Sequence, residues 1–471
     1  MRVSGPIAGC IIRQVPIRRD TEGKTMTEYM FILGSNWLLS IAELLIYVRN
    51  RGYQVKLVDH SRRAAILDFK EKLSVEEVVD MQSALGGCFK TGRVIQSYDI
   101  DIPMKAYPIS GRSNKEALDV LASCPYLHHL WQRPQGRKIK FGVSTYPVFD
   151  GREPIQYRRF TRGLNDIIKK LLIQKGAKRA DYFAYDKPDK RNPKKVNLSL
   201  WPKTIANNNL LTPPNNEILA AFTEKHLYIA RTMVVYDSVL QQYRDESRPF
   251  ISSEISTSPK VCRTLLNLAG ARPGDTILDP FCGTGTLLIE AAMLGMKCIG
   301  VDIDPDQVQG TKSNLIWFAR DSGQKIDFQV FRGDSRELSK IIDKQVDAVA
   351  FEPSLGPVLS GQPDMENAEE TIKELTQLYH DALIQIAEIL RPDGRIAMTL
   401  PVVISKTGPL SIDIKRMVKG TGLGIYRMLP ADMIRSKSDT NPRLKITPER
   451  EQLPERKRGQ VVQRSVIVLE K

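Results

Sequence analysis

The sequence predicts an α/β protein whose second half is a doubly wound sheet of seven strands, the last antiparallel, preceded by an α+β half. Three observations predict it. Residues 275–302 read as one βαβ unit of 28 residues: the run Ile277-Leu278 ends in Asp279, and a Gly-Thr-Gly turn opens an Ala-rich helix over 287–294 that Gly295 stops. A second apolar run over 298–301 then ends in Asp302. Apolar runs of strand length recur at 328–331, 348–351, 395–400, 424–429 and 465–469. The third observation is charge. Residues 1–250 carry 40 Lys and Arg against 25 Asp and Glu, whereas residues 251–471 carry 29 against 29. Within the first half, residues 131–200 alone hold 18 basic against 6 acidic side chains.

Taken in order, residues 1–26 hold a short apolar patch at 7–12, broken by Gly9 and followed by Arg13, Arg18 and Arg19. That is a poor secretory leader, and the segment reads as a disordered extension or an upstream start before Met26. A strand at 29–34 follows, then a helix over 40–52 with Ile41, Leu44, Leu45 and Val48 on one face. Strands at 54–58 and 64–69, a helix over 74–85 and a strand over 90–97 complete a small α+β sandwich over 27–108. His128-His129, read on a strand, point to opposite faces and are taken as structural.

The basic unit spans 109–232. A strand over 138–144 leads to a helix over 158–175 with Leu164, Ile167, Ile168, Leu171 and Leu172 on its buried stripe. Arg159, Arg162 and Lys169 lie off that stripe, and a strand is expected over 196–201. Between them, Lys178, Arg179, Lys194 and Lys195 are interleaved with Tyr182, Phe183 and Tyr185. Basic residues with aromatics suit RNA, charge meeting phosphate and rings meeting unstacked bases. A solvated surface and ordinary core rings are the bland alternative, but the charge surplus is concentrated here rather than spread. Residues 206–250 read as a polar connection, with 233–250 as the linker. Ser258-Pro259 then supplies an N-cap serine and a first-turn proline to the next helix. Residues 431–463 form a polar, basic insert expected to be a flexible loop near substrate.

The βαβ unit constrains its ligand. A dinucleotide site wants a third glycine at the helix start, but Leu288 stands there, and Asp279 would repel a pyrophosphate. S-adenosylmethionine suits it better: its sulfonium and ammonium are cationic, its ribose offers two hydroxyls, and it has no phosphate. Gly283 and Gly285 are assigned to close backbone approach, Asp302 to the ribose, Asp279 to the methionine end and Asp334 to the adenine amine. Phe281, Cys282, Thr284, Thr286, Ile303, Ser335 and Glu352 complete the candidate cofactor set. No apolar run is long enough to span a membrane. The six cysteines show no CxxC pairing and the five histidines do not cluster, so neither a disulfide frame nor a metal site is expected.

The block from Asp279 to Thr286 resembles that of amino-methylating class I methyltransferases. Phe141-Gly142-Val143-Ser144-x-Tyr146, the following Gly163-Leu164, and the linker residues Arg244-Asp245, Arg248-Pro249 and Ser258-Pro259-Lys260 carry the likeness further. Over residues 27–471 the chain resembles the THUMP-containing tRNA guanosine N2-methyltransferases, especially the archaeal enzymes acting on guanosine ten. The resemblance implies a Rossmann-like class I methyltransferase domain over 251–471, preceded by ferredoxin-like (27–108) and THUMP-like (109–232) RNA-binding modules. It implies S-adenosyl-L-methionine as cofactor, tRNA as partner and a cytoplasmic monomer; some relatives add a small partner subunit.

The family's catalytic loop after the fourth strand reads Asp/Asn-Pro-Pro-aromatic, whereas this chain has Glu352-Pro353-Ser354-Leu355. These four are the candidate catalytic residues. Glu352 and the Pro353 carbonyl would hold the exocyclic amine, and Leu355 would cover a base face without the stacking worth about 1–3 kcal/mol that an aromatic provides. Two rivals stand beside the tRNA methyltransferase. One is a tRNA-binding protein with a drifted, inactive methyltransferase fold; the other is an amino-methyltransferase acting on rRNA or DNA.

Overall fold

The computed structural model describes residues 27–148, 155–183, 198–251, 257–359, 361–435, 441–455 and 460–471. The extension expected at 1–26 and the stretch holding Tyr185, Lys194 and Lys195 lie outside the described residues. The chain forms two compact units. The first takes residues 27–32, 57–82 and 90–236, and the second 33–56, 83–89 and 237–471.

The first unit carries one mixed sheet. Its strands are β1 (Glu28–Leu33), β2 (Val55–His60), β3 (Ala64–Phe69), β4 (Cys88–Asp99), β5 (Lys138–Tyr146), β6 (Arg179–Tyr182), β7 (Asn216–Phe222) and β8 (His226–Val235). Their order is β2-β3-β1-β4-β8-β7-β5-β6. β4 pairs antiparallel with β8, and β5 runs parallel to β6 and β7. The segments read separately from sequence therefore share one sheet. The helix Tyr157–Gln174 buries Phe160, Leu164, Ile168 and Leu172, spaced four apart, and leaves Arg159, Arg162 and Lys169 exposed.

A polar network is sealed in this unit. Lys90 is 2% exposed and Glu217 fully buried. The Lys90 ammonium pairs with Glu217 and donates to the Leu200 carbonyl at 2.9 Å. Ser144 Oγ donates to Glu217, and Thr232 donates to its other oxygen at 2.8 Å. Four strands thus meet on one buried carboxylate, and the segment before the helix Pro202–Asn207 joins them through Lys90 and Ser144.

Three sequence expectations change here. Residues 198–201 are not a strand: one backbone bond (Thr145 N–H to Leu198 O, 2.8 Å) and the Ser144 hydroxyl, accepting from Leu200 N–H at 2.9 Å, replace a ladder. The connection 206–250 holds β7 and β8, whose apolar run 218–222 was flanked by asparagines that read as loop. His128 and His129 lie on a helical turn, Leu127–Leu130, with ring centroids 3.9 Å apart.

The second unit is the doubly wound half. It contains β9 (Thr276–Asp279), β10 (Lys297–Asp302), β11 (Phe328–Arg332), β12 (Val346–Phe351), β13 (Leu390–Ile404), β14 (Pro409–Ser411), β15 (Gly424–Ile425), β16 (Gln452–Glu455) and β17 (Val462–Glu470). The order is β11-β10-β9-β12-β13-β17-β15, with β14 on β13 and β16 on β17. β9 through β13 are mutually parallel and β17 is antiparallel to β13. The strand expected over 424–429 shrinks to Gly424–Ile425. The insert 431–463 is not simply a loop, because β16 lies in it and Leu444 and Leu453 are fully buried.

Local packing explains the turn. Ile277 and Leu278 are fully buried, each contributing about 1.5–3 kcal/mol. At Gly300 a Cβ would meet Leu288 Cδ1 at 2.7 Å. The close helix–strand approach that a third glycine would allow is thus obtained by placing the glycine on β10 and the leucine on the helix Thr286–Met293. The helix Trp37–Asn50 packs inside this second unit, where Glu43, fully buried, accepts from Gly86 N–H, Gly87 N–H and Asn267 Nδ2 at 2.7, 2.7 and 2.8 Å. Ser258 sits at the N-cap of Pro259–Leu268 but makes no side-chain cap bond; the proline alone marks the start.

Candidate active site

From β9 the chain winds outward through β10 to β11 and then returns across the sheet to β12 on the other side of β9, so the connections leaving the neighbouring strands β9 and β12 diverge and open a crevice. The crevice has a volume of about 980 Å³. Asp279 and Phe281 to Thr284 line it from the first turn, joined by Thr286. Asp302 and Ile303 line it above β10, Asp334 and Ser335 above β11, and Glu352 to Leu355 above β12. Gly285 does not line it. With φ +77° it turns the chain into the helix, and its missing Cβ makes room for Thr311 Cγ2, which a Cβ would meet at 2.7 Å.

Backbone amides shape the acids. Gly283, at φ +49°, donates its N–H to Asp302 Oδ2 (2.8 Å), and Asp304 N–H donates to Oδ1 (3.0 Å). Each oxygen keeps a second lone pair for a hydroxyl. Asp279 is 3% exposed and accepts from Phe281 N–H at 3.1 Å. Burial, with Asp302 and Glu352 nearby, pushes its carboxyl up to about 8 against that hydrogen bond. Asp334 is less available than the sequence suggested. The Arg336 guanidinium grips both its oxygens (3.0, 3.1 and 2.6 Å) and holds its pKa below the usual carboxylate value.

The loop after β12 is anchored at both ends. Glu352 accepts from Thr257 Oγ1, from Thr399 Oγ1 at 3.4 Å, and pairs with Arg464 from β17. The Tyr379 hydroxyl donates to the Ser354 carbonyl from the helix Met365–Ile389. Gly356, at φ +95°, turns the chain away, and Val358 beyond it is 91% exposed. Phe281 and Phe351 stack at 5.5 Å beneath the loop.

Several participants carried no sequence signal. Arg464 and Arg336 are lone arginines in otherwise ordinary stretches. Thr257 sits just before the Ser-Pro start. Arg248, singled out from sequence only as part of the linker, is 7% exposed and donates to Thr286 Oγ1 at 2.8 Å. Among the described residues no group of His, Cys, Asp and Glu is arranged to hold a metal ion. No helix of the described residues is long and apolar enough to cross a membrane.

The basic candidates belong to the first unit. Arg159, Arg162, Lys169, Lys178 and Arg179 are exposed, and Arg179 pairs with Asp181 at 2.5 Å. The interleaved rings are not free platforms. Tyr182 donates to Asp166 Oδ1 at 2.8 Å and lies 5.9 Å from Phe141, and Phe183 packs against the Leu200, Ile205 and Leu210 cluster. Trp201, 61% exposed, is an aromatic that does reach solvent here.

Comparison with known proteins agrees with this architecture. Residues 248–403 match a family model described as an RMKL-like methyltransferase domain, and residues 163–313 match one described as a DNA methylase. The crystal structure of TrmN from Thermus thermophilus shares the fold, with TM-score 0.50, 15% identity, and coverage of 94% of this chain and 99% of that one. A tRNA (guanine(10)-N2)-dimethyltransferase of Methanothermobacter thermautotrophicus is 35% identical over 178 residues, 38% of this chain and 48% of that protein. The chain spans about half the length of the first such relatives it matches. A Methanothermococcus thermolithotrophicus protein described as a probable tRNA (guanine(10)-N2)-dimethyltransferase is 37% identical over 160 residues, 34% of this chain and 86% of its own length. With a class I methyltransferase fold and that degree of likeness, the chain belongs to the tRNA (guanine(10)-N2)-dimethyltransferase family.

Proposed function

We propose that the protein is an S-adenosylmethionine-dependent tRNA methyltransferase acting on the exocyclic N2 amine of a guanosine, of the position-ten type. The observation that carries this reading is the acid-rich crevice at the switch point, with the Glu352-Pro353 loop forming one wall. Five lining acids (Asp279, Asp302, Asp304, Asp334, Glu352) face two arginines, each already paired with one of them. That donor set rejects phosphate and fits a cationic ligand with hydroxyls. Asp279 would hold the ammonium end, Asp302 the ribose and Ile303 the adenine face.

When bound, S-adenosylmethionine supplies an electrophilic methyl on a sulfonium. A guanine N2 amine is a weak nucleophile because its lone pair is delocalised into the ring. Glu352 and the Pro353 carbonyl accept its protons as hydrogen bonds, turning the lone pair out of the ring plane and toward the methyl. The proton shed on methylation leaves toward the Glu352 carboxylate. Leu355 covers the base face. The exposed arginines and lysines of the first unit, a THUMP-like module in this reading, grip the tRNA backbone with an affinity that falls steeply with salt. The site is cytoplasmic, the chain a monomer, with a small partner subunit an open addition.

The test is methyl transfer from labelled S-adenosylmethionine to unmodified tRNA transcripts, followed by nucleoside analysis. N2-methylguanosine, lost on Glu352→Ala, is the expected result. Another methylated nucleoside, or preference for rRNA or DNA, would move the substrate. Binding of tRNA without any transfer, even in cell extract, would favour the drifted, non-catalytic reading that Leu355 suggests.

A further inference from the structure

Glu352 is unusually crowded for a group that must receive a substrate amine. Its Oε1 meets Arg464 Nε and Thr399 Oγ1, and its Oε2 meets Thr257 Oγ1 and Arg464 Nη2, the last at 3.4 Å. The guanidinium therefore lies across both oxygens, Nη2 donating to Oε2 and Nε in ion-pair contact with Oε1. Arg464 is 17% exposed at its side chain and is itself steadied by Glu455 of β16, 3.6 Å away. The other titratable groups near Glu352, Asp279 on β9, Cys262 in Pro259–Leu268 and Tyr379 in Met365–Ile389, are all pushed up by burial and keep their protons near neutrality, so none of them balances its charge. A glutamate has one more rotatable bond than the aspartate or asparagine this loop resembles, so it needs an external hold to present one geometry.

We propose that Arg464 is a positioning residue for the reaction: its guanidinium holds the Glu352 carboxylate in one orientation, leaving the Thr257 hydroxyl as the donor that the substrate amine replaces. This rests on the methyltransferase reading given above. A hydroxyl is neutral and exchanges readily; a straddling guanidinium in a half-buried site does not.

The test uses the full chain and two readouts. The first is the Glu352 side-chain carboxyl signal by carbon-13 NMR at one fixed pH, assigned by the difference from E352Q. In R464M that signal should move or broaden, because the carboxylate loses the hold on its orientation. R464K, having charge without the planar guanidinium, should fall between. R464Q replaces R464M if the latter does not fold. The second readout is the split between kcat and KM in methyl transfer. R464M should lose about 10²-fold, mainly in kcat, and R464K should rescue part of it. An unchanged Glu352 signal in R464M overturns the proposal whatever the enzyme does. A changed signal in a chain whose wild type methylates no tRNA upholds the pairing and overturns the tRNA reading instead.

Discussion

Replacing Gly300 by alanine probes the packing that lets this βαβ unit dispense with a third glycine. On the present backbone the added Cβ would lie 2.7 Å from Leu288 Cδ1, 3.1 Å from Cys282 Sγ and 3.2 Å from Cys282 Cβ. Leu288 is fully buried and has no solvent to swing into. The helix or the turn must move. Overpacking of this kind costs about 1–3 kcal/mol, and in a unit of this size that is a fall of about 2–12 °C in melting temperature. Because Cys282 immediately precedes the Gly283 amide that holds Asp302, cofactor affinity should drop as well. The assay is a double-mutant cycle with Leu288→Ala, read by urea unfolding. Alone, Leu288→Ala costs about 2–5 kcal/mol; beside Gly300→Ala it should cost less by about 0.5–3 kcal/mol, because the clash and the cavity cancel in part. Strict additivity, or a neutral Gly300→Ala, would refute the argument.

Three further outcomes follow from the same structure. Asp279, raised to about 8, should bind a cationic cofactor more tightly above pH 8 than below it, and Asp279→Asn should flatten that dependence in calorimetric titrations. The sign for stability is opposite: a carboxyl that keeps its proton on folding contributes most below its unfolded value and loses that contribution as pH rises toward about 8, so the apo wild type should gain on Asp279→Asn above that pH. In the first unit, Glu217→Leu should strand the buried Lys90 and cost about 3–5 kcal/mol, whereas the pair replacement with Lys90→Met should recover most of it in thermal melts. Neutralising Arg159, Arg162 and Lys169 together should lower the slope of log tRNA affinity against log salt by about one for each phosphate left without its cation, and an unchanged slope would take that helix face out of the RNA site.

Some of this was legible in the chain alone. Ile277, Leu278 and the alternation of apolar runs with helical stretches disclose a doubly wound sheet because parallel strands are buried on both faces and must read as continuous apolar segments. Asp279, Asp302 and Glu352 were legible because an acid at the carboxyl end of such a strand has little structural reason to be there. β7 failed the same reading because Asn215 precedes it and Asn216 opens it, though its core 218–222 is as apolar as β12. Over the described residues 198–201 the expected strand is absent for a different reason: Ser144 and Glu217, far off in sequence, offer Leu200 and Lys90 partners that no local pattern encodes.

The illegible part of the site shares one physical character. Arg464 and Thr257 act by neutralising or orienting Glu352, and each arrives from a distant stretch that only the closed sheet brings near, whereas Arg336 grips Asp334 from two residues away. Charge pairing has no period. A strand announces itself every second residue and a helix every three to four, whereas an arginine on β17 meets a glutamate just past the end of β12 because β13 lies between the two strands and sets both heights. The departure at Glu352-Pro353-Ser354-Leu355 must therefore be judged with its surroundings. The longer acid is held by Arg464, and the carbonyl of Ser354, standing where a second proline would stiffen the loop, is held by Tyr379. Both replacements surrender rigidity in the chain and regain it from a neighbouring side chain, which is the pattern of a loop kept in one shape.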